Sequence, residues 1–496
     1  MANGTAYRAW PHIRRRHATT DVLIGSLAVL ACAAVGLLLP VSAQAALVAM
    51  GCILGLAALG GPTTYWVIAA LVSSFTFQAL TTLGVLPSLG TVLPIAISWG
   101  ALVVALLKRR AVPVPRVARP HLRWLTAFFL VAIVSGLFNR VEILRPFLFV
   151  GLLGVPYVLV CAILIDPPGI RERAVLLKIT MGLVLLQIPV VFWQFALGGG
   201  ANYGGSNLTG ADRIQGTFIS RGGGSGVLSA VAVIGAIWLL ARRRTLWNAA
   251  LAAVLMVFPF ISDAKQVLLA LPLAVLATLP QGLTVGYFFR SGLAIGLAAM
   301  LLFVLPVGKV TRAYLNQGQQ RGGNPKVQVA QWLWKDLQGD PVSLTFGKGP
   351  AETVSLAAYY TTPGFLGARS PFHALGLKPA EIAIEADYLS YGVVNNQERS
   401  SFQSPLSSAL GVLGDLGLAG ILTYGGLLIT LLLALAGARS AESIAAMSAV
   451  GLFAVLGFVY GWWEAPGLPA FVGVLAGVAL TGPARSLSAA RTSEPT

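Results

Sequence analysis

Apolar stretches about 20 residues long, joined by short linkers, recur along most of this chain, and no other feature limits its fold as much. A helix of that length crosses the hydrocarbon of a bilayer and satisfies its own backbone hydrogen bonds. The residue inventory excludes a water-soluble alternative. Hydrophobic residues make up 56% and charged residues 10%, whereas a soluble domain carries about 25% charged residues. The stretches are centred near residues 30, 52, 74, 98, 130, 154, 186, 232, 254, 272, 298, 418, 452 and 474. They predict an all-α polytopic membrane protein with about 14 transmembrane helices.

The formal charge of +17 raises the question of nucleic acid. Its distribution answers it: Arg14-Arg15-Arg16, Lys108-Arg109-Arg110 and Arg242-Arg243-Arg244 sit between apolar stretches. That is the pattern of helix ends held at a cytoplasmic face, not of a basic surface built for phosphate backbones. With residues 1–20 placed as a cytoplasmic basic N-terminus, its following apolar run is read as a first membrane helix. Alternation then puts the basic linkers at 108–123, 171–178, 242–244, 290 and 439 on the inside, and 482–496 becomes a cytoplasmic tail.

Residues 21–307 hold helices one to eleven, with an outer loop at 198–222. Residues 308–404 form one large extracytoplasmic loop, and 405–481 hold the last three helices. A loop of that length is uncommon unless it is functional. Short helices are expected in it around 327–337 and 379–389. The chemistry is therefore gathered outside, in this loop, in 198–222 and in the corner at 262–266.

The first of these is rich in Gly and carries Arg213 and Arg221, which suit phosphate. A flexible turn with two solvated arginines fits the composition equally well. Lys265, beside Asp263, is a cation near membrane depth, either functional or paired and snorkelling. The large loop adds Lys309, Arg312, Arg321 and Lys326. Trp332, Trp334, Tyr359 and Tyr360 could stack on sugars or anchor a helix at the interface, and anchoring is favoured. His373 is the one histidine assigned outside and a candidate base. Glu142, Glu352, Glu381, Glu385, Asp387, Glu398, Asp415 and Glu464 offer carboxylates, among which sequence does not choose. Cys32, Cys52 and Cys161 lie in apolar runs and read as packing residues. No phosphate-binding loop for ATP and no metal-ligand motif occurs.

Four segments, in this order, resemble the bacterial O-antigen ligase and O-antigen polymerase superfamily. Arg213-Ile214-Gln215-Gly216-Thr217-Phe218 resembles its Arg-x-x-Gly-Thr-Phe segment, and Ser262-Asp263-Ala264-Lys265 its Ser-Arg corner, with Lys265 for the usual Arg. Gln331-Trp332 and Phe346-Gly347-Lys348-Gly349-Pro350 resemble its Trp and Phe-Gly-x-Gly-Pro pieces. Leu410, Leu413, Asp415, Gly417 and Gly420 resemble its Leu-x-x-Leu-x-Glu-x-Gly-x-x-Gly run. The four span residues 213–420.

The resemblance implies a glycosyltransferase of the bacterial cytoplasmic membrane that needs no metal or other cofactor. Its substrates would be an undecaprenyl-diphosphate-linked glycan and an acceptor glycan, with chain-length and export proteins as candidate partners. Arg213, Lys265 and His373 are then the expected catalytic residues, and Arg213, Arg221, Lys265, Arg312 and Arg321 would hold the diphosphate. One departure matters: where ligases carry His-Asn before the Leu-x-x-Leu run, this chain has Leu406 and Ser407. Leucine is no base, which favours a polymerase-like member. A lipid-linked oligosaccharide flippase or polysaccharide exporter is the competing reading, and a scaffold whose outer loop binds a partner is a third.

Overall fold

The computed structural model describes residues 61–82, 93–110, 112–196, 214–218, 223–242, 245–262, 264–278, 325–362, 377–386, 406–438 and 440–482, with the backbone alone at 78–82, 265 and 325. Helix is the one regular structure among them, with no strand. The order is α1 (Thr63–Thr82), α2 (Leu93–Lys108), α3 (Ala118–Phe138), α4 (Leu144–Leu153), α5 (Val155–Ile165) and α6 (Ile170–Ala196). Next come α7 (Gly224–Arg242), α8 (Leu246–Ile261) and α9 (Lys265–Leu276). The helices α10 (Pro325–Gln338), α11 (Pro341–Phe346) and α12 (Leu356–Thr361) precede α13 (Ser408–Ala436), α14 (Ala441–Val459) and α15 (Gly467–Leu480).

Five of these, α3, α6, α7, α13 and α14, are long and apolar enough to cross a bilayer. The pair α4–α5, bent by 69°, makes a sixth if it is one span. The bend falls where Gly154 meets Pro156, whose ring nitrogen has no hydrogen to continue the helical ladder. The apolar runs near 98, 254, 272 and 474 are also helices, but shorter ones, and the run near 74 is α1, whose side chains are described over Thr63–Phe77. At 12 residues, α9 reaches only about 18 Å, well short of a bilayer core of about 30 Å. The runs centred near 30, 52 and 298 lie outside the described residues.

The surroundings of the long helices identify a membrane protein. On α13, Leu418, Leu422, Ile429 and Leu433 stand along one face, with Leu422 68% and Leu433 71% exposed. The opposite face, with Leu416, Tyr424, Leu427, Leu431 and Leu435, is buried. An apolar stripe left uncovered over several turns of a helix is at home in lipid and unfavourable in water. At the centre, every residue of α5 and α15 is buried. The two meet through small residues: a Cβ on Gly473 would lie 2.5 Å from the Pro156 carbonyl oxygen, the close approach that glycine permits between membrane helices.

Polar contacts gather at the helix ends. Thr63 Oγ1 donates to Asp166 Oδ2 at 2.7 Å, Arg109 Nε lies 3.5 Å from Asp166, and Thr64 Oγ1 donates to Glu172 at 3.3 Å. The start of α1, the end of α2 and the α5–α6 link therefore share one end. The chain just past α15 joins them, since a Cβ on Gly482 would lie 3.2 Å from the Arg173 guanidinium. Alternation of the basic linkers expects the last three of these on one side.

Candidate functional site

Two segments of the resemblance, 346–350 and 410–420, are packed against each other. Helix α13 is interrupted at Gly417, where φ is 64° and ψ is −157°, a conformation almost confined to glycine. Gly347 opposite has φ 73°. A Cβ on Gly417 would lie 2.5 Å from the Thr345 carbonyl carbon, and one on Gly347 would lie 2.3 Å from that of Asp415. The two backbones thus touch where neither tolerates a side chain. Lys348 N donates to Gly414 O at 2.8 Å, and Gly349 N to Asp415 O at 3.1 Å. Ser135 Oγ and Asn139 Nδ2 from α3 and its end donate to Asp415 O and Gly347 O at 2.9 and 3.1 Å.

The Asp415 side chain completes this junction. Its Oδ1 accepts from Glu352 N at 3.2 Å, Thr353 N at 2.7 Å and Thr353 Oγ1 at 2.6 Å. Its Oδ2 accepts from Ala351 N at 3.0 Å and Ser355 Oγ at 2.7 Å. With 0% exposure, the carboxylate exchanges water for donors fixed by the loop, and this is what makes a buried charge tolerable. Leu410 and Leu413 of the same run pack, with Trp332 and Leu344, on a second hydrophobic cluster of Val329, Leu333, Leu337, Val354 and Ala386.

Beside the junction lies Arg145, 1% exposed at the start of α4. Its Nε bonds Glu142 Oε2. Its Nη1 contacts Ala351 O at 2.6 Å and Glu352 Oε1 at 3.0 Å, and its Nη2 donates to Lys378 O at 2.8 Å. One guanidinium so ties three distant stretches together, as its fan of donors allows. Ala351 has φ 61°, unusual for a residue with a side chain. Asp415 holds its N–H and Arg145 its carbonyl, and together they fix that conformation.

The two glutamates respond differently. Burial raises Glu352 to about 7, with the Arg145 charge opposing and those of Asp415, Glu142 and Glu381 adding to the rise. Burial acts upward on Glu142 too, but its backbone hydrogen bonds and Arg145 outweigh it and hold the carboxyl below the usual range. Carboxyl groups pushed apart around one cation are a known mark of acid–base sites.

A second built element is the turn at 214–218, which carries most of the Arg-x-x-Gly-Thr-Phe segment. Gln187 and Gln194 are seven residues apart and so lie on one face of α6. Gln194 Oε1 accepts from Gln215 N and Gly216 N at 3.0 and 2.8 Å, and its Nε2 donates to Gly216 O at 2.8 Å. Gln187 Oε1 accepts from Thr217 N at 2.9 Å, and its Nε2 donates to Thr217 Oγ1 at 3.0 Å. Phe218 is buried edge-on against Phe75. The turn packs on the first residue of α7, as a Cβ on Gly224 would lie 2.0 Å from Phe218 O. The 262–265 corner reaches the same helix, with Ser262 Oγ 2.8 Å from Ser229 Oγ.

The ends of α13 and α14 close the arrangement. Ser407 caps α13 and also donates to Gly457 O and Phe458 O, both at 3.1 Å. Lys326 Nζ donates to Leu406 O at 2.7 Å and to Val459 O, and burial lowers it to about 7. Glu464 accepts from Ala357 N at 2.8 Å, and burial raises it to about 8. Trp462 Nε1 donates to Gly223 O at 3.0 Å, which links this end to the start of α7.

Of the expected site residues, Arg213, Arg221, Arg312, Arg321 and His373 lie outside the described residues, as does Asp263. Lys265 is placed by its backbone as the first residue of α9. Leu406 and Ser407 are buried, and Ser407 serves as a cap. Tyr359 and Tyr360 belong to the main core and Trp332 to the second cluster, so packing accounts for these rings. The helices expected near 327–337 and 379–389 are present as α10 and a short helix at 381–386. Sequence reading missed Arg145 altogether. Its signal was an arginine at the end of an apolar run, outside the basic linkers, with a glutamate three residues before it. Comparison with protein-family models and with curated proteins finds no match for this chain.

Proposed function

We propose that this protein is a membrane glycosyltransferase acting on undecaprenyl-diphosphate-linked oligosaccharides at the outer face of the bacterial cytoplasmic membrane, polymerising or ligating them, with the polymerase-like reading favoured. The observation that carries this is the contact between segments that sequence could only list in order. Residues 346–350 sit on the interrupted start of α13. The 214–218 turn and the 262–265 corner both rest on α7. Trp462 and Ser407, at the α14 end, link the two regions.

In this reading the diphosphate leaving group carries the energy of transfer. Arg213, Arg221, Lys265, Arg312 and Arg321 stabilise the charge that grows on it, each well-placed donor being worth about 3 kcal/mol. His373 or a loop carboxylate takes the acceptor's proton.

Surface polysaccharide from a deletion strain tests the reading. Single repeat units accumulating on lipid indicate a polymerase, and unattached long chains a ligase. Arg213→Ala and Lys265→Ala are expected to abolish the product with the protein still at its normal membrane level. Unchanged polysaccharide in the deletion strain counts against the proposal. Lipid-linked substrate moved across liposomes with no linkage made would replace it with a flippase.

A further inference from the structure

We propose that Glu352, at the edge of the Arg145 centre, is the general base that takes the proton from the acceptor sugar's hydroxyl, an inference that rests on the glycosyltransferase reading above. Elimination among the described carboxylates on this side leads to it, Asp336 being paired with Lys348 Nζ at 2.9 Å and Asp340 capping the start of α11. Asp415 is fully buried and engaged by five donors. Glu464 is buried and accepts from the start of α12. Glu142 is held by Arg145 and by Lys378 N, the latter at 3.4 Å, and a carboxylate so stabilised is a poor proton acceptor. Glu381 and Glu385 stand on the surface of the short 381–386 helix, with no salt bridge or hydrogen bond to a described residue that orients them.

Glu352 differs from all of these. Its side chain is 17% exposed, so a hydroxyl arriving from water can reach it. One carboxyl oxygen is oriented by Arg145 at 3.0 Å, and its own N–H is pinned to Asp415. The strained Ala351 beside it is fixed from both sides. A group positioned by such supports needs no reorganisation to act. The charges facing it are Arg145 from α4, Glu142 before α4, Asp415 from α13 and Glu381. Burial and the three carboxylates outweigh the arginine, so the carboxyl titrates near neutrality, where a general base works best.

In the step itself, the acceptor O–H proton passes to a Glu352 oxygen while the acceptor oxygen bonds to the anomeric carbon of the lipid-linked sugar. The bond from that carbon to the diphosphate oxygen breaks, and its electron pair leaves on the polyprenyl diphosphate. Glu352 then returns the proton to water.

The test uses the full chain in liposomes with lipid-linked oligosaccharide extracted from cells that lack it. Wild-type rate should rise with pH and level off above about 7, because the base works only when deprotonated. Glu352→Gln keeps the size of the side chain and an acceptor for Arg145. It should unfold at the wild-type temperature in detergent and lose about 100-fold in rate. Glu352→Ala should lose as much and recover rate when formate is added, since a small carboxylate fills the vacated place. A folded Glu352→Gln protein above about a tenth of wild-type rate, or loss in Glu352→Ala without rescue by formate, overturns the assignment and leaves a structural glutamate. If the wild type forms no product, the glycosyltransferase reading fails and the base with it.

Discussion

At Asp415 a carboxylate without exposed surface gathers donors from three consecutive positions and one beyond, 351–353 and 355. The docked loop depends on it more than on any single apolar contact. Asp415→Ala leaves three backbone N–H groups and two hydroxyls buried without an acceptor, and each such group costs about 1–3 kcal/mol. The variant is expected to lose at least about 3 kcal/mol and to expose 347–355 to protease. Cleavage of detergent-solubilised protein, followed over time, checks this, and wild-type resistance would remove Asp415 from that role. Asp415→Glu is informative in the other direction. The resembling family carries Glu in this run, but here the donors close on the shorter side chain, so the change should also weaken the junction. Neither Asp415's donors nor Arg145's partners Ala351, Glu352 and Lys378 could be read from sequence, because they come from stretches as much as 64 and 233 residues away.

Among the elements, α6 shows how a membrane helix positions a loop. Most of its length is apolar, and Gln187 and Gln194 interrupt it two turns apart. Buried amides in lipid must find partners, and here the partners are the N–H and C=O groups of 215–217, which would otherwise be unsatisfied themselves. Gln194→Leu orphans two of those N–H groups and one carbonyl, and a loss of about 2–4 kcal/mol in thermal or denaturant unfolding is expected. Gln194→Glu keeps the acceptor and loses the donor, so it should fall between. Equal stability of all three proteins would mean the turn is held by Phe218 alone. The bend between α4 and α5 is an element of another kind: hydropathy marks one apolar run near 154, and only packing against Trp99 and the fully buried α5 shows it as two helices.

For the whole molecule the decisive property is sidedness. The contacts that join Thr63, Arg109, Asp166 and Gly482 to one end leave Glu142, 347–355 and 457–464 at the other. With the native cysteines replaced, Glu381→Cys should react with a membrane-impermeant maleimide on intact cells, and Arg171→Cys only after the membrane is opened. Equal labelling of both would end the outer-face assignment and the transfer chemistry with it. Sequence alone determined the class of the fold, because a chain with so few charges has nothing to face water with. It also marked the 346–350 and 410–420 segments. Tertiary structure decided which of many polar groups meet, that Leu406 and Ser407 serve packing and capping, and that Arg145 and Asp415 hold Glu352 in place. The reason is physical: hydropathy is a sum over neighbours in the chain, whereas a buried charge is stable only where distant segments bring it donors.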